Sequence, residues 1–360
     1  MKKYMKKMVW LMMFSFFLLS AGVSAQAVSK VKITDANFSQ EMIKVAREAD
    51  TNKDNAISKK EATKVTKIKL ASNRNADIFK GLKYFTNIKK FVYTSNKDRR
   101  NPEQIGKEEI SYVQELDLYN FKRLTKVKIT CDNNYLKKVN LKGCTNLKDL
   151  CISDYPSYNP GDPSGIKSLN LKGCKNLEKL DCLYVKVENL DLSGLKKLKE
   201  VYIKGADTVN LTKASGLKTL GMRKVKKVQL KGANNLEGLY IEDGYMKTLD
   251  VSNKKKLKVL ECSNSYILEE LDVTGCKELK NLNCRRTSIK TLSLKTNTKL
   301  EKLVCFKTKL TKLNLKKNKK LKILKCFDTD IRALDLSNTR IKDEEKVRCD
   351  KDVSIIFAMK

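Results

Sequence analysis

The segment from Asp50 to Glu61 carries the side chains best suited to hold an ion. Carboxylate, amide and hydroxyl groups recur there at short, regular intervals. Such oxygens, together with backbone carbonyls, are the ligands that Ca²⁺ takes in proteins. The candidate ligands are Asp50, Asn52, Asp54, the carbonyl of Ala56, Ser58 and Glu61. We expect a structural calcium site; the alternative is a helix-turn-helix cap in which metal binding is weak or lost.

In order and spacing this segment resembles the loop of a single EF-hand or dockerin-type module. Such a loop takes an apolar residue at its eighth position, here Ile57, and glycine at its sixth, here replaced by Asn55. Asparagine is among the residues that best tolerate the positive φ required there. Before the loop, residues 38–46 predict a helix with Asp35 as N-cap, and a second short helix is expected to start at Glu61.

The rest of the chain offers few residues or motifs suited to catalysis. The 360 residues include no histidine, which excludes Ser-His-Asp and Cys-His catalysis and His-ligated zinc. Catalysis would have to rest on carboxylates, lysine, cysteine or tyrosine, and no paired-carboxylate motif or phosphate loop stands out. Carboxylates such as Glu269 and Glu270 are interpreted as surface strand residues. We therefore expect no enzymatic activity.

The element that must position these groups is a repeat. The frame L-x-x-L-x-(C/I) recurs about every 21 residues, beginning at Leu124, Leu147, Leu177, Leu198, Leu217, Leu236, Leu257, Leu279, Leu300 and Leu321. A similar second half follows in each unit, as at Leu313 and Leu315. Alternation of apolar residues with a period of two predicts short strands with one buried face. Single coils cannot bury their leucines, but stacked coils can, so the pattern predicts a solenoid.

The repeat resembles the leucine-rich repeat family, and within it the irregular bacterial class, whose consensus is L-x-x-L-x-L-x-x-(N/C)-x-L. The resemblance implies a leucine-rich repeat solenoid of the α/β horseshoe class, built here mostly of short parallel strands with a small helical N-terminal cap. We expect a signal peptide (1–25), an EF-hand-like cap (31–66), the solenoid (67–345) and a C-terminal cap (346–360). Residues 155–164 predict a surface loop inserted in one repeat.

Cysteines and small polar residues follow the repeat. Cys262, Cys284, Cys305 and Cys326 share the last position of the frame, which isoleucine fills elsewhere, so we predict a buried thiol column. Disulfides are the alternative, since exported proteins often contain them. A second series stands three residues after the second strand, and we expect it to bond the turn backbone of the next coil. Its members are Cys144, Cys174, Cys276, Asn297 and Asn318.

The N-terminus has the pattern of a secretory signal peptide. Four lysines precede an apolar run over residues 9–19, and small residues follow up to Ala25 and Ala27. An uncleaved anchor is the alternative. No later apolar run is long enough for a transmembrane segment in the mature chain. We expect the protein to be secreted or associated with the cell surface.

The formal charge of +35 arises from 76 Lys and Arg against 41 Asp and Glu. Many lysines follow the second strand of the coils, and equivalent turns of a solenoid stack. We predict a lysine ridge, a linear surface for an anionic ligand; the alternative is a solvated face that opposes aggregation. Its residues are Lys142, Lys172, Lys231, Lys254, Lys255, Lys316, Lys317, Lys319 and Lys320.

These features predict an exported, non-catalytic binding or adhesion protein. Its ligand would be an extracellular protein or an anionic polysaccharide or cell-wall polymer, and we expect a monomer. Export argues against nucleic acid as a physiological target. The alternative is a structural envelope component that charge alone retains on the wall.

Overall fold

The computed structural model describes residues 30–71, 77–95, 113–132, 136–155, 166–183, 185 and 187–358. The predicted signal peptide lies outside this part of the chain, as does nearly all of the predicted 155–164 loop. No helix of the described part combines the length and hydropathy needed to cross a bilayer.

The first strand of each coil joins one parallel sheet of 13 strands. Its strands, which form what we call the first-strand face, are β3 (Lys67–Ala71), β4 (Lys90–Thr94), β6 (Lys126–Asp132), β8 (Asp149–Tyr155), β10 (Lys179–Leu183), β12 (Glu200–Lys204), β14 (Thr219–Arg223), β16 (Gly238–Glu242), β18 (Val259–Glu261), β20 (Asn281–Asn283), β21 (Lys302–Val304), β22 (Ile323–Lys325) and β24 (Val347–Arg348).

The register of this sheet follows the leucines of the repeat. Leu260 pairs with Leu282, which pairs with Leu303, which pairs with Leu324, and each side chain is buried. A slip of one residue would turn this whole apolar column to solvent, so the buried face holds the register. The predicted early repeats obey the same rule, since Ile68 pairs with Phe91.

The second strands form shorter parallel sheets. These contain β5 (Glu115–Asp117), β7 (Lys138–Asn140) and β9 (Ser168–Asn170); β11 (Asn189–Asp191), β13 (Thr208–Asn210) and β15 (Lys227–Gln229); β17 (Thr248–Asp250) and β19 (Glu270–Asp272); β23 (Ala333–Asp335) and β25 (Ser354–Ile356). The two columns enclose one continuous apolar core. The protein is therefore a leucine-rich repeat solenoid of parallel strands, as predicted.

A small cap precedes the first coil. It contains β1 (Lys30–Lys32), α1 (Gln40–Ala49), β2 (Ala56–Ser58) and α2 (Lys59–Lys64), and β1 pairs with β2 antiparallel. The prediction of Asp35 as N-cap was wrong. Ser39 caps α1, because its hydroxyl accepts a hydrogen bond from the Met42 amide and also donates to the carbonyl of Ile78.

The cap is fastened to the solenoid by close packing. Phe38 lies against Tyr84 and Phe85, with ring centroids 5.3 and 6.3 Å away. Its ring lies so close to Gly81 that a Cβ there would stand 2.2 Å from the Phe38 ring. Gly81 also has a φ of 91°, so glycine is required for both reasons. The segment 82–84 forms a 3₁₀ turn, as does 344–346 near the other end.

The C-terminal segment contains two short strands that belong to different columns of the solenoid. β24 pairs with β22, and β25 pairs with β23, both in parallel. The two strands therefore extend the two columns of the solenoid and do not pair with each other. The reason is that both strands continue the alternation of apolar and polar residues seen in the repeats. Val347 lies beside Leu324, and Ile355 lies beside Leu334.

A column of hydrogen-bond donors runs along the turns after the second strand, at the position three residues beyond it. The thiol of Cys276 donates to the carbonyl of Val251, and Asn297 Nδ2 donates to the carbonyl of Val273 at 2.9 Å. The acceptors belong to the preceding coil, so the prediction that these side chains bond the next coil had the wrong direction. The other members that act in this way are Cys144, Cys174 and Asn318.

Candidate functional site: a metal loop and two exposed surfaces

The predicted calcium loop joins α1 to β2 and α2. Its backbone has positive φ at Lys53 and Asn55, both 58°, which is the conformation expected of the sixth loop position. Asp50 accepts a hydrogen bond from the Asn55 amide through Oδ2 at 3.0 Å. Asp54 accepts from the Ala56 amide through Oδ1, also at 3.0 Å. Intraloop bonds to side-chain oxygens thus shape the turn.

Glu61, the last candidate ligand, is fully engaged with protein donors. One oxygen accepts from the amide and hydroxyl of Thr51, both at 2.9 Å. The other accepts from the amide and hydroxyl of Ser58, at 3.0 and 2.7 Å, and completes a capping box at the start of α2. Hydrogen bonds from Ser58 and then Thr51 lower the pKa of Glu61 to about 2. The helix starts at Lys59, so Glu61 lies within its first turn.

The negative charge of Asp54 is compensated by a nearby lysine. β1 brings Lys30 opposite Ser58, and the Lys30 ammonium forms an ion pair with Asp54 Oδ2. This contact raises the pKa of Lys30 and lowers that of Asp54, through the hydrogen bond between them. Neither side chain is buried, so this ion pair contributes little to stability.

The residues of the loop fit a calcium site in type and order. Asp50 adds an observation in favour, because its Oδ1 is buried and has no hydrogen-bond partner. In the described part of the chain, however, no three His, Cys, Asp or Glu side chains gather in a metal-binding arrangement. Glu61 and Asp54 instead point to Ser58, Thr51 and Lys30.

The cysteines form a thiol core, as predicted. All eleven are free thiols, and nine are buried. Burial raises the pKa of the Cys284 thiol to about 12 and that of Cys144 to about 11. Thiols that hold their protons at neutral pH are poor nucleophiles and poor metal ligands. The column therefore serves packing.

Eight of the nine predicted ridge lysines lie exposed along the turns after the second strand. The exposed residues are Lys142, Lys172, Lys231, Lys255, Lys316, Lys317, Lys319 and Lys320. Backbone hydrogen bonds join successive turns, such as that from the Gly143 amide to the carbonyl of Lys172 at 2.9 Å. Within the described residues none of the eight has an acidic partner within ion-pair distance.

Lys254 does not belong to this ridge. It occupies the donor-column position, is only 8% exposed, and donates through Nζ to the carbonyl of Leu230 at 3.0 Å. The long side chain reaches the same type of carbonyl that Asn297 and Cys276 reach in other coils. Burial lowers the pKa of Lys254 below its usual value of 10.5. Its inclusion among the ridge residues was therefore wrong.

Sequence reasoning missed an aromatic surface on the first-strand face. Tyr202, Gly221 and Tyr240 stand side by side on β12, β14 and β16. A Cβ at Gly221 would lie 2.7 Å from Cδ1 of Tyr202, and one at Gly238 would lie 2.9 Å from Cε2 of Tyr240. The two glycines thus leave room for the tyrosine rings to lie down on the sheet. We call Tyr202 and Tyr240 with these two glycines the tyrosine platform.

The platform borders a cleft of about 540 Å³. The tyrosines are 37% and 38% exposed, and neighbouring Leu183 is 36% exposed. Glycines within strand patterns mark a close approach of other groups, and this signal at Gly221 and Gly238 could have revealed the site.

A carboxylate stands at each end of the platform. Asp181 pairs with Tyr202 on one side, and Glu261 pairs with Tyr240 on the other. They are four strands apart, about 19 Å at about 4.8 Å per strand. This separation is far beyond the roughly 5–10 Å of a glycosidase pair. The two groups therefore cannot act together on one bond.

Comparisons with known proteins give distant structural likenesses. The functional domain of InlJ from Listeria monocytogenes, which includes a cysteine ladder, has 19% identity and a TM-score of 0.49 over 88% of this chain and 79% of that one. An internalin, InlF, from Listeria monocytogenes has 18% identity and a TM-score of 0.44 over 93% and 100%. A leucine-rich repeat protein from Leptospira interrogans has 18% identity and a TM-score of 0.35 over 81% and 91%.

No family model and no curated protein matches the chain. The fold assignment accordingly depends on the strand register and the repeat described above.

Proposed function

We propose that this protein is exported and acts as a non-catalytic binding or adhesion protein, presenting its solenoid to an extracellular protein or to an anionic glycan or cell-wall polymer. Export is supported by the basic and apolar N-terminal segment. The observation that carries the proposal is the lysine ridge, with eight exposed lysines on stacked turns and no acidic partner among the described residues.

The distribution of ion pairs sets the ridge apart from the other charged surfaces. Lysines near the start of the first strands are neutralised by glutamates of the adjacent coil, as in Lys199 with Glu178 at 2.6 Å and Lys258 with Glu237 at 2.7 Å. In the described part of the chain the ridge lysines have no acidic partner, and Lys142 alone lies over a ring, that of Tyr119 at 5.7 Å, so their charge is available to a ligand. A repeating row of cations suits a linear polymer with repeating anions.

Retention of the protein on a teichoic-acid or polyuronate matrix tests the ridge. The variant carries Lys→Gln at 316, 317, 319 and 320. The control removes four exposed lysines from the first-strand face, with Lys→Gln at 67, 69, 90 and 128. We expect the ridge variant to elute at clearly lower salt than the control, because screening acts on the same total charge in both. Equal elution of the two variants would refute the ridge.

The second candidate is a structural component that charge alone holds on the envelope. The exposed lysines favour it as much as they favour adhesion, but it requires no specific ligand. Saturable binding to one protein that persists in high salt supports adhesion. Complete elution from whole cells by salt, with no saturable ligand, supports the structural role.

We also propose that the loop of Asp50, Asn52, Asp54, Ala56, Ser58 and Glu61 binds Ca²⁺ and stabilises the cap. The support is the oxygen order, the positive φ at Asn55 and the unpartnered, buried Oδ1 of Asp50. Binding would require Asp54 to leave Lys30 and Glu61 to leave its capping box. This cost agrees with the modest affinity of extracellular sites, about 10⁻⁴–10⁻³ M.

Calcium-dependent melting tests this site. We expect Ca²⁺ to raise the melting temperature of the wild type, and Glu61→Ala to abolish that rise. Lys30→Met removes the competing ammonium and should lower the Ca²⁺ concentration needed for half of the rise. An equal rise in the Glu61→Ala variant would reject the site.

A further inference from the structure

We propose that the tyrosine platform, with Asp181 and Glu261 at its ends, binds an extended cationic segment of a partner protein. This inference builds on the proposed function by assigning the protein ligand to a particular surface and chemistry. Its basis is one row of neighbouring strands, β10 to β18, on which two aromatic faces lie between two carboxylates.

Both rings lie close above glycines and are partly exposed. Tyr202 fills the space above Gly221, and Tyr240 that above Gly238, so each ring lies along the sheet. A ring lying flat in this position would present its negative π face outwards. Guanidinium and ammonium groups are attracted to such faces, and the planar guanidinium also stacks on them.

The two carboxylates at the ends of the row, Asp181 and Glu261, have unused hydrogen-bonding capacity. Asp181 Oδ1 is buried without a hydrogen bond, and Glu261 has no ion-pair or hydrogen-bond partner among the described residues. Burial raises the pKa of Asp181, partly offset by Lys179. A cationic ligand would offset the cost of burying the Asp181 carboxylate by giving it a charged hydrogen-bond donor.

Two of the three cations around the cleft already have partners. Arg223 contacts Asp243 at 2.8 Å and Glu242 at 3.6 Å. Lys204 also has a partner, whereas Arg285 places its guanidinium over the Phe306 ring at 5.9 Å and keeps a buried Nε that no described residue bonds. The row from Asp181 to Glu261 contains no cation, so its unmatched charge is negative, within a protein whose total charge is strongly positive. An anionic ligand fits the lysine ridge, and a cationic one fits the platform.

The spacing of the carboxylates defines the ligand. The four strand steps from Asp181 to Glu261 span about 19 Å. A polyproline II segment rises about 3.1 Å per residue with three residues per turn, so side chains six residues apart share one face and lie about 19 Å apart. Two arginines separated by five residues would therefore reach both ends while the chain between them crosses the rings.

The test uses a fluorescent peptide, Arg-(Pro)₅-Arg, with both ends blocked, titrated with the full-length protein and followed by anisotropy. The controls are (Pro)₅-Arg-Arg, which has the same composition, and Glu-(Pro)₅-Glu. We expect the first peptide to bind best and the acidic one not to bind at the platform. Asp181→Asn and Glu261→Gln should each weaken binding about tenfold, since a charge-assisted hydrogen bond is lost.

Matched variants distinguish binding at the platform from binding at the lysine ridge. Tyr202→Leu and Tyr240→Leu should each weaken peptide binding a few-fold, because they keep apolar area but lose the π face. Lys→Gln at 316, 317, 319 and 320 should leave peptide binding unchanged, and the platform variants should keep their retention on the anionic matrix. Loss of one activity without the other thus shows which proposal fails. Unchanged circular dichroism controls for folding.

Three results would overturn the proposal. The first is equal affinity for the two arginine peptides. The second is binding that ignores both carboxylate variants. The third is capture of a neutral oligosaccharide that needs the tyrosines but neither carboxylate, which would assign the platform to glycans.

Discussion

Exchanging the residues at two equivalent positions of the donor column tests how the turns are held. In the Lys254→Asn variant, an amide replaces a buried ammonium that makes one hydrogen bond, to the carbonyl of Leu230. Asn297 shows what an amide achieves there, since its Nδ2 donates to the carbonyls of Val273 and Cys276 at 2.9 and 3.1 Å. The corresponding acceptors for Asn at 254 are Leu230 and Ala233.

The magnitude follows from this comparison. The variant gains one buried neutral hydrogen bond, about 1 kcal/mol. It also loses the cost of burying an ammonium that is 8% exposed, but it adds a buried amide oxygen that, like Oδ1 of Asn297, has no hydrogen-bond partner. The free energy of unfolding should therefore rise by about 1 kcal/mol at neutral pH. The reciprocal variant, Asn297→Lys, loses one bond and buries a charge, and its free energy of unfolding should fall by about 1–3 kcal/mol.

The pH dependence provides a second check. Burial lowers the folded-state pKa of Lys254 below 10.5, so the unfolded chain binds more protons between the two pKa values. Wild-type stability at this site therefore rises as pH increases through that window, whereas an asparagine is insensitive. The advantage of Lys254→Asn should shrink as pH rises towards 10.5.

Urea unfolding of both variants and the wild type, at neutral and alkaline pH, measures these differences. A destabilised Lys254→Asn variant, or an advantage that does not change with pH, would refute the idea that Lys254 is a charged and therefore costly substitute for a neutral donor.

Three further predictions concern the cap and the thiols. The pKa of Glu61 is lowered to about 2, so the stability that its ionised form contributes is complete above its usual pKa of 4.5 and is lost as the pH falls through 2. Acid titration of the helicity of the cap should show a transition in this pH window. The Glu61→Gln variant should lack that transition. Titration of the unfolded, non-reduced protein should find eleven free thiols, and far fewer would mean disulfides. Cys305→Ser should cost about 1–3 kcal/mol by placing a hydroxyl in an apolar column, whereas Cys151→Ser, at a partly buried position, should be nearly neutral, as measured by thermal melting.

The solenoid was predictable because its cause is local and repeated. Apolar residues at alternate positions, such as Leu303 and Cys305, determine which face of a strand is buried. Only one register between stacked coils keeps all of these residues inside, as in the pairing of Leu303 with Leu324. The C-terminal strands were harder, because a broken spacing after Ile341 hides that Val347 and Ile355 continue the same columns.

The details that sequence reasoning missed depend on contacts between coils. Lysine is normally exposed, so nothing in its type indicates that Lys254 turns inwards to a carbonyl of the previous coil. Ser39 rather than Asp35 caps α1 because the helix begins at Gln40, and Ser39 is also held there by its bond to Ile78, which is 39 residues away. The tyrosine platform likewise requires the register that brings Tyr202 beside Gly221.

The donor column links each turn only to the coil before it, through contacts such as Cys276 with Val251 and Asn318 with Leu294. Each coil is consequently an exchangeable unit, and in-frame loss or duplication of one repeat would leave the remaining links intact. Recombination could thus lengthen the lysine ridge without harm. The tyrosine platform has no such freedom: excision of the β14 coil would remove Gly221 and bring Tyr202 directly against Tyr240.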